Sequence, residues 1–159
     1  MAAFPVDPTA PRVFLDASVI IAGVGSRVGA SHAILALAEL GLLRPVVCPY
    51  VLDETARNIE RKTPEAVFRF RDVQNNIAWE LVADPTPQQV QPWLDVIVAK
   101  DAPVLAAAVI AHPHWLVTLD TKDFIEPPEV AARSGLHIGT PGDLLKEIRH
   151  ILARGFAEE

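Results

Sequence analysis

Trp115-Leu116-Val117-Thr118-Leu119-Asp120-Thr121-Lys122-Asp123-Phe124 is an apolar run that stops at one carboxylate, Asp120, and meets a second, Asp123, shortly after. An uninterrupted apolar run of this length reads as a strand buried on both faces, the kind found inside parallel sheets. Near the N-terminus, Val13-Phe14-Leu15 stops in the same way at Asp16. Two buried strands that each end in an acid predict that acidic side chains meet at one edge of a sheet.

A second strand is expected at Pro45–Cys48, a third at Trp79–Val82, and a fifth at His137–Gly139 after the fourth at Trp115–Leu119. Helical segments lie between them. Ser18–Ala22 begins a short helix and Gly23–Gly29 reads as a flexible loop. Ser31 is placed to cap a helix whose Ile34, Leu35, Leu37, Ala38 and Leu42 recur at helical spacing. Pro49 opens a helix to about Lys62, where its missing amide is no loss. Pro64 opens another to Asn76 with Val67, Phe70 and Val73 as its apolar stripe, and that stripe suits either the core or a homodimer. Thr86-Pro87 caps a helix with Val90, Trp93 and Leu94. After Asp101, the run to Ala111 is almost wholly apolar, so that helix must be buried on most sides. Pro127-Pro128 opens a short helix closed by Gly135, and Thr140-Pro141-Gly142-Asp143 starts a last helix to Arg154. Strands alternating with helices predict an α/β fold, a three-layer α/β/α domain with a parallel sheet covered on both faces. The domain is expected over 13–154, with a flexible tail over 1–12 and a second tail over 155–159.

The chain has 159 residues, half of them hydrophobic and 21% charged, which is a globular composition with room for one core. No apolar run reaches the ~18 residues of a membrane span, and no basic-then-apolar leader is present. Cys48 is the single cysteine, which excludes an internal disulfide and a cysteine-based zinc site. A cytoplasmic protein without membrane association is the expectation. The net charge of −6 argues against a broad basic surface for nucleic acid, but an acidic centre filled by cations is locally positive.

In open parallel sheets, sites form beyond the carboxyl ends of the strands, where strand order reverses. Asp16 and Asp120 stand at such ends. Asp101 begins the helix that leads to the fourth strand, Glu54 lies one turn into the helix after the second, and Asp123 follows Asp120. Each acid alone has an ordinary explanation. Asp101 suits a helix N-cap, Asp120 and Asp123 suit side-chain turns, and Glu54 suits a solvated helix surface beside Arg57 or Asn58. Asp16 is harder to explain so, because an acid directly after a buried strand needs a partner. Gathered together, these carboxylates repel, and no lysine or arginine lies inside the apolar strands to neutralise them. Oxygen-only donors select hard cations, Mg²⁺ or Mn²⁺ rather than zinc. Such ions activate water and stabilise charge on a phosphodiester.

Four segments then resemble the successive motifs of the PIN-domain nuclease family. They are Val13-Phe14-Leu15-Asp16-Ala17-Ser18-Val19-Ile20, Tyr50-Val51-Leu52-Asp53-Glu54-Thr55, Lys100-Asp101-Ala102-Pro103-Val104-Leu105-Ala106-Ala107-Ala108, and Leu116-Val117-Thr118-Leu119-Asp120-Thr121-Lys122-Asp123-Phe124. The resemblance extends to the Thr140-Pro141-Gly142-Asp143-Leu144-Leu145 helix start. It lies in the order and spacing of the motifs rather than in any one of them. It implies a five-stranded sheet in order 3-2-1-4-5 and Mg²⁺- or Mn²⁺-dependent cleavage of single-stranded RNA. It also implies Asp16, Glu54, Asp101 and Asp120 as catalytic and metal-binding acids, with Asp123 as an accessory ligand. Ser18 falls where the family often has a small polar residue that supports the first aspartate, and it is also a candidate for substrate binding. Lys122, Arg57 and Lys100 are candidates for phosphate contact, or plain solvated surface. Many small bacterial members are VapC-type toxins paired with an antitoxin, and the stretch Pro64–Asn76 makes this chain resemble the broader group of PIN-domain toxins carrying such an insertion.

Other signals point elsewhere. His112-Pro113-His114 lacks a third soft ligand nearby and suits a loop. Gly23–Gly29 departs from both glycine-rich phosphate-binding patterns, since position 28 is valine and no Gly-Lys-Ser/Thr follows. Trp79, Trp93 and Trp115 have apolar settings that suit core packing over base stacking, and Cys48 reads as a small buried residue. Two further functions remain open from the residues alone: a catalytically silent binding or scaffold module, and another acid-centred α/β protein such as an aspartyl phosphatase or a receiver domain.

Overall fold

The computed structural model describes residues 7–157, excepting the side chain of Phe156. Five short strands form one parallel sheet: β1 (Arg12–Leu15), β2 (Arg44–Val47), β3 (Glu80–Leu81), β4 (Trp115–Val117) and β5 (Ile138–Gly139). Their order is β3-β2-β1-β4-β5, the order the family resemblance implied. It differs from the 2-1-3-4-5 order of flavodoxin-like receivers, so the receiver alternative falls. Val13, Phe14 and Leu15 are paired with Trp115, Leu116 and Val117, and all but Trp115 of these six are fully buried. Strands buried on both faces explain why their sequences are uninterrupted apolar runs.

Nine α-helices connect and cover the strands among the described residues. Between β1 and β3 the chain makes α1 (Ala17–Gly25), α2 (Ala30–Glu39), α3 (Pro49–Lys62) and, after one 3₁₀ turn at Pro64–Ala66, α4 (Val67–Asn76). Between β3 and β5 it makes α5 (Pro87–Val90), a 3₁₀ turn at Gln91–Trp93, α6 (Ala102–Ala111), α7 (Thr121–Phe124) and α8 (Pro128–Ser134). The last helix, α9 (Pro141–Ala157), packs against α2. From β1 the chain steps toward β3, and from β3 it crosses back to β4, so right-handed crossovers put α1–α4 on one face and α5–α8 on the other. No single helix among the described residues is long and apolar enough to cross a membrane.

Several boundaries differ from the sequence expectation. The segment Gly23–Gly29 is not a loop throughout. α1 continues through Gly25, because Gly23 is where α2 crosses it closely: a Cβ at Gly23 would lie 2.6 Å from Leu35 Cδ1 and 2.9 Å from the Ser31 carbonyl oxygen. Ser31 is not the cap of α2. It is buried in the first turn, and Gly29 takes the cap position with φ 98°, which glycine adopts freely. At α7 the side-chain turn expected of Asp120 is present and takes helical form: Asp120 Oδ1 accepts a hydrogen bond from the Asp123 amide at 3.1 Å. The expected caps at Thr86 and Thr140 are present. Thr86 and Gln89 form a reciprocal capping box, and the Thr140 and Asp143 side chains bond each other's amides.

Of the stretch 1–12 expected as a tail, 1–6 lie outside the described residues, while the Asp7 amide bonds the Gly41 carbonyl and Arg12 already belongs to β1. Of 155–159, the first three residues continue α9, and 158–159 lie outside the described residues. The stripe of α4 faces the core, with Phe70 and Val73 buried and Val67 packed against them, so it is not a free surface for a homodimer. All three tryptophans pack partly buried against the core, and Trp115 also stacks on His137. His112 ends α6 in a left-handed conformation and His114 Nδ1 accepts the Arg12 amide, which gives that segment the loop role expected of it.

Candidate active site

The crevice lies at the carboxyl ends of β1 and β4, where the chain leaves the two central strands in opposite directions. One residue past the paired strands, Asp16 stands level with Thr118, which ties the two strand ends together across the crevice. The Asp16 amide donates to the Val117 carbonyl at 3.1 Å. Asp16 is only 7% exposed, and its Oδ2 accepts two hydroxyl hydrogen bonds, from Ser18 Oγ at 2.6 Å and Thr118 Oγ1 at 2.8 Å. These bonds satisfy the buried charge and fix the carboxylate's orientation. The same hydroxyls also accept backbone amides. Leu119 donates to Ser18 Oγ and Asp120 donates to Thr118 Oγ1, each at 3.0 Å. One small network therefore sets both Asp16 and the turn that carries Asp120.

Thr118 was not singled out in the sequence. It is fully buried, and its only visible signal was a hydroxyl at the end of an otherwise apolar run.

Asp101, Asp120 and Asp123 each present a carboxylate oxygen such that the three lie within 4.8 Å of one another. Asp123, expected as an accessory, is a full member of this trio. Asp16 and Glu54 are not in it, yet both are electrostatic neighbours. Burial pushes the Asp101 carboxyl up to about 6, against the pull of Lys100 and with help from Asp120 and Asp16. Burial also raises the Glu54 carboxyl above its ordinary value, and Asp16 adds to the shift. Asp101 precedes α6 but makes no side-chain capping hydrogen bond, so the capping explanation for this acid falls.

The acids are not without a basic neighbour. Lys100 Nζ lies 3.0 Å from Asp101 Oδ2 and 3.7 Å from both Asp120 Oδ2 and Asp123 Oδ2. Arg12 and Arg44 begin β1 and β2 at the far end of the sheet, so the cation beside the acids comes instead from Lys100 in the turn before α6. The Lys100 carbonyl accepts the Tyr50 hydroxyl at 2.9 Å, which anchors that turn to the start of α3. Arg57 is exposed one turn from Glu54, its Nε weakly bonded to the Asp53 carbonyl at 3.4 Å, and Lys122 is exposed on α7. Cys48 is fully buried at the end of β2, where burial pushes its thiol up to about 11 and keeps it protonated and unreactive.

The model of the PIN domain family matches residues 12–122. No curated protein matches the chain by sequence. Among solved structures, the chain is similar to a chain of the VapBC2 complex of Rickettsia felis bound to a fragment of promoter DNA, at 13% identity and a TM-score of 0.58, covering 81% of this chain and 98% of that one. It is similar to a chain of the DNA-bound VapBC complex of Salmonella typhimurium at 13% identity and a TM-score of 0.59, covering 82% and 98%. A Pyrobaculum aerophilum protein aligns at 16% identity and a TM-score of 0.61, covering 91% and 99%. At these identities the likenesses speak to the fold.

Proposed function

The chain belongs to the PIN-domain family, and from that premise we propose that it is a divalent-metal-dependent endoribonuclease acting on single-stranded RNA in the cytoplasm. The observation that carries this reading is the convergence of Asp101, Asp120 and Asp123 beside a rigidly held Asp16 at the switch point of the sheet. The donor set fits a hard cation, since it is made of carboxylate oxygens alone, and the Lys100 ammonium already rests among them as a stand-in positive charge. Asp16, Asp101, Asp120 and Asp123 are the residues that would hold Mg²⁺ or Mn²⁺.

When bound, such an ion supplies an acidified water and stabilises the charge that develops on a phosphodiester. The protein's own contribution is placement. Ser18 and Thr118 hold Asp16 in one orientation, which makes Ser18 a positioning residue rather than a substrate contact. Glu54 is half-buried with a raised proton affinity and an acidic neighbour, which suits it to orient a water and accept its proton. Lys122 and Arg57, both exposed at the rim, are proposed contacts for substrate phosphates.

A role as the toxin of a toxin–antitoxin pair is proposed on the family membership and on the likeness to chains of VapBC complexes. Exposed Leu40 and Leu42 beyond α2, with Ile151 and Leu152 on α9, offer apolar surface for an antitoxin or a second copy of the chain.

Purified protein is expected to degrade single-stranded RNA only with Mg²⁺ or Mn²⁺ present, and Asp16→Asn is expected to abolish cleavage while leaving the circular dichroism spectrum unchanged. An Asp16→Asn variant that cleaves as fast as the parent would show the site to be misassigned.

A further inference from the structure

Lys100 ends the turn before α6 with its backbone held by the Tyr50 hydroxyl, while its side chain reaches back over the acids. A single ammonium stands 3.0, 3.7 and 3.7 Å from Asp101, Asp120 and Asp123, the three carboxylates whose oxygens converge within 4.8 Å. Two cations cannot share those oxygens without strong repulsion. The ammonium is a compact charge on a flexible stem, and the Lys100 side chain is 69% exposed. It can therefore leave the acids for water without breaking any packing.

We propose that Lys100 is a built-in competitor for the divalent ion. It neutralises the acid trio in the metal-free protein and must withdraw when the ion enters, so that it sets how much free metal the site needs. This rests on the metal-binding reading of the same site and adds to it a residue that weakens metal affinity. An ordinary surface lysine near an acidic site would leave that affinity almost untouched.

The test is calorimetric titration of Mn²⁺ into the full chain after chelation, comparing the parent with Lys100→Met and Lys100→Arg. Lys100→Met is expected to bind Mn²⁺ about ten-fold more tightly, because the competing charge is gone. Lys100→Arg keeps the charge and is expected to stay within about two-fold of the parent. Without metal, Lys100→Met is expected to melt below the parent, and with saturating Mn²⁺ the gap is expected to close. Equal or weaker binding by Lys100→Met overturns the inference and leaves the metal reading standing. No Mn²⁺ binding by any of the three proteins overturns both. Should Lys100→Met fold poorly, the parent alone decides: with ¹⁵N-labelled lysine, the Lys100 ammonium signal, assigned by its loss in Lys100→Arg, is expected to shift on Mg²⁺ saturation. A signal that does not move overturns the inference.

Discussion

Thr118 is the residue whose role depends most on the fold. Its hydroxyl donates to Asp16 and accepts from the Asp120 amide, so it couples the two strand-end acids. Replacing it with valine keeps the shape but leaves Asp16 with one hydroxyl donor and the Asp120 amide with none. Partners that orient ligating groups contribute about 10- to 100-fold to metal affinity or activity. Thr118→Val is expected to lose cleavage rate and Mn²⁺ affinity in that range while remaining folded, and unchanged kinetics would refute the coupling.

Asp101 gives a pH signature. Its folded-state pKa of about 6 lies above the ordinary 3.8, so the folded protein binds the proton more tightly than the unfolded chain does. That contribution is complete below the ordinary value and is lost as pH rises through about 6. Asp101→Asn removes the buried charge. It is expected to stabilise the metal-free protein by about 1–3 kcal/mol near pH 7.5 and by roughly nothing near pH 4, measured by urea unfolding. Equal effects at both pH values would contradict the burial of this acid. Asp16, Asp101 and Asp120 were legible in the sequence because acids at the ends of buried strands or at the head of an apolar helix are conspicuous. Thr118 was not, because threonine is ordinary in strands, and only the register between β1 and β4 reveals what its hydroxyl faces.

The elements were legible where apolar runs and proline marked them, as at α3 and α6. They were misread where glycine was taken for flexibility. Gly23 serves a close helix crossing, and the neighbouring Gly25 has no atom within 4 Å of where its Cβ would stand. The two positions should therefore respond oppositely to alanine. Gly23→Ala forces α1 from α2 and is expected to cost about 1–3 kcal/mol. Gly25→Ala is expected to be neutral or to stabilise by up to about 1 kcal/mol. Urea midpoints for the pair decide the matter, and equal stabilities would mean that α1 does not continue past Ala22. A third strand was legible at Trp79–Val82, but its narrowing to Glu80–Leu81 and the helical form of the turn at α7 were beyond sequence reading for another reason. Elements of two to four residues carry too little periodicity, and tertiary contacts decide them.

At the scale of the whole molecule, strand order converts scattered acids into a centre. Residues 16, 54, 101, 120 and 123 come from four separate connections, and only the adjacency of β1 and β4 brings Asp16 to the turn that carries Asp120 and Asp123. At the opposite end of the sheet, Arg12 ties β1 to Glu80 on β3 and to the Ala111 and His112 carbonyls at the end of α6, which holds three segments in register. Alternation of strand and helix gave the fold class from the sequence. The order of the strands came from the resemblance of the motifs, because alternation alone is equally consistent with other doubly wound sheets. The overall charge of −6 likewise says little about the crevice, where a single lysine and a divalent ion outweigh the sum.

Whether this crevice is a metal centre is decided by a crystal soaked in Mn²⁺, through its anomalous difference map. A peak is expected among Asp101, Asp120 and Asp123, near Asp16 and about 2–2.3 Å from carboxylate oxygens, with the Lys100 side chain withdrawn. Well-ordered acids with no anomalous peak among them, and Lys100 still in place at saturating Mn²⁺, would contradict a metal centre here.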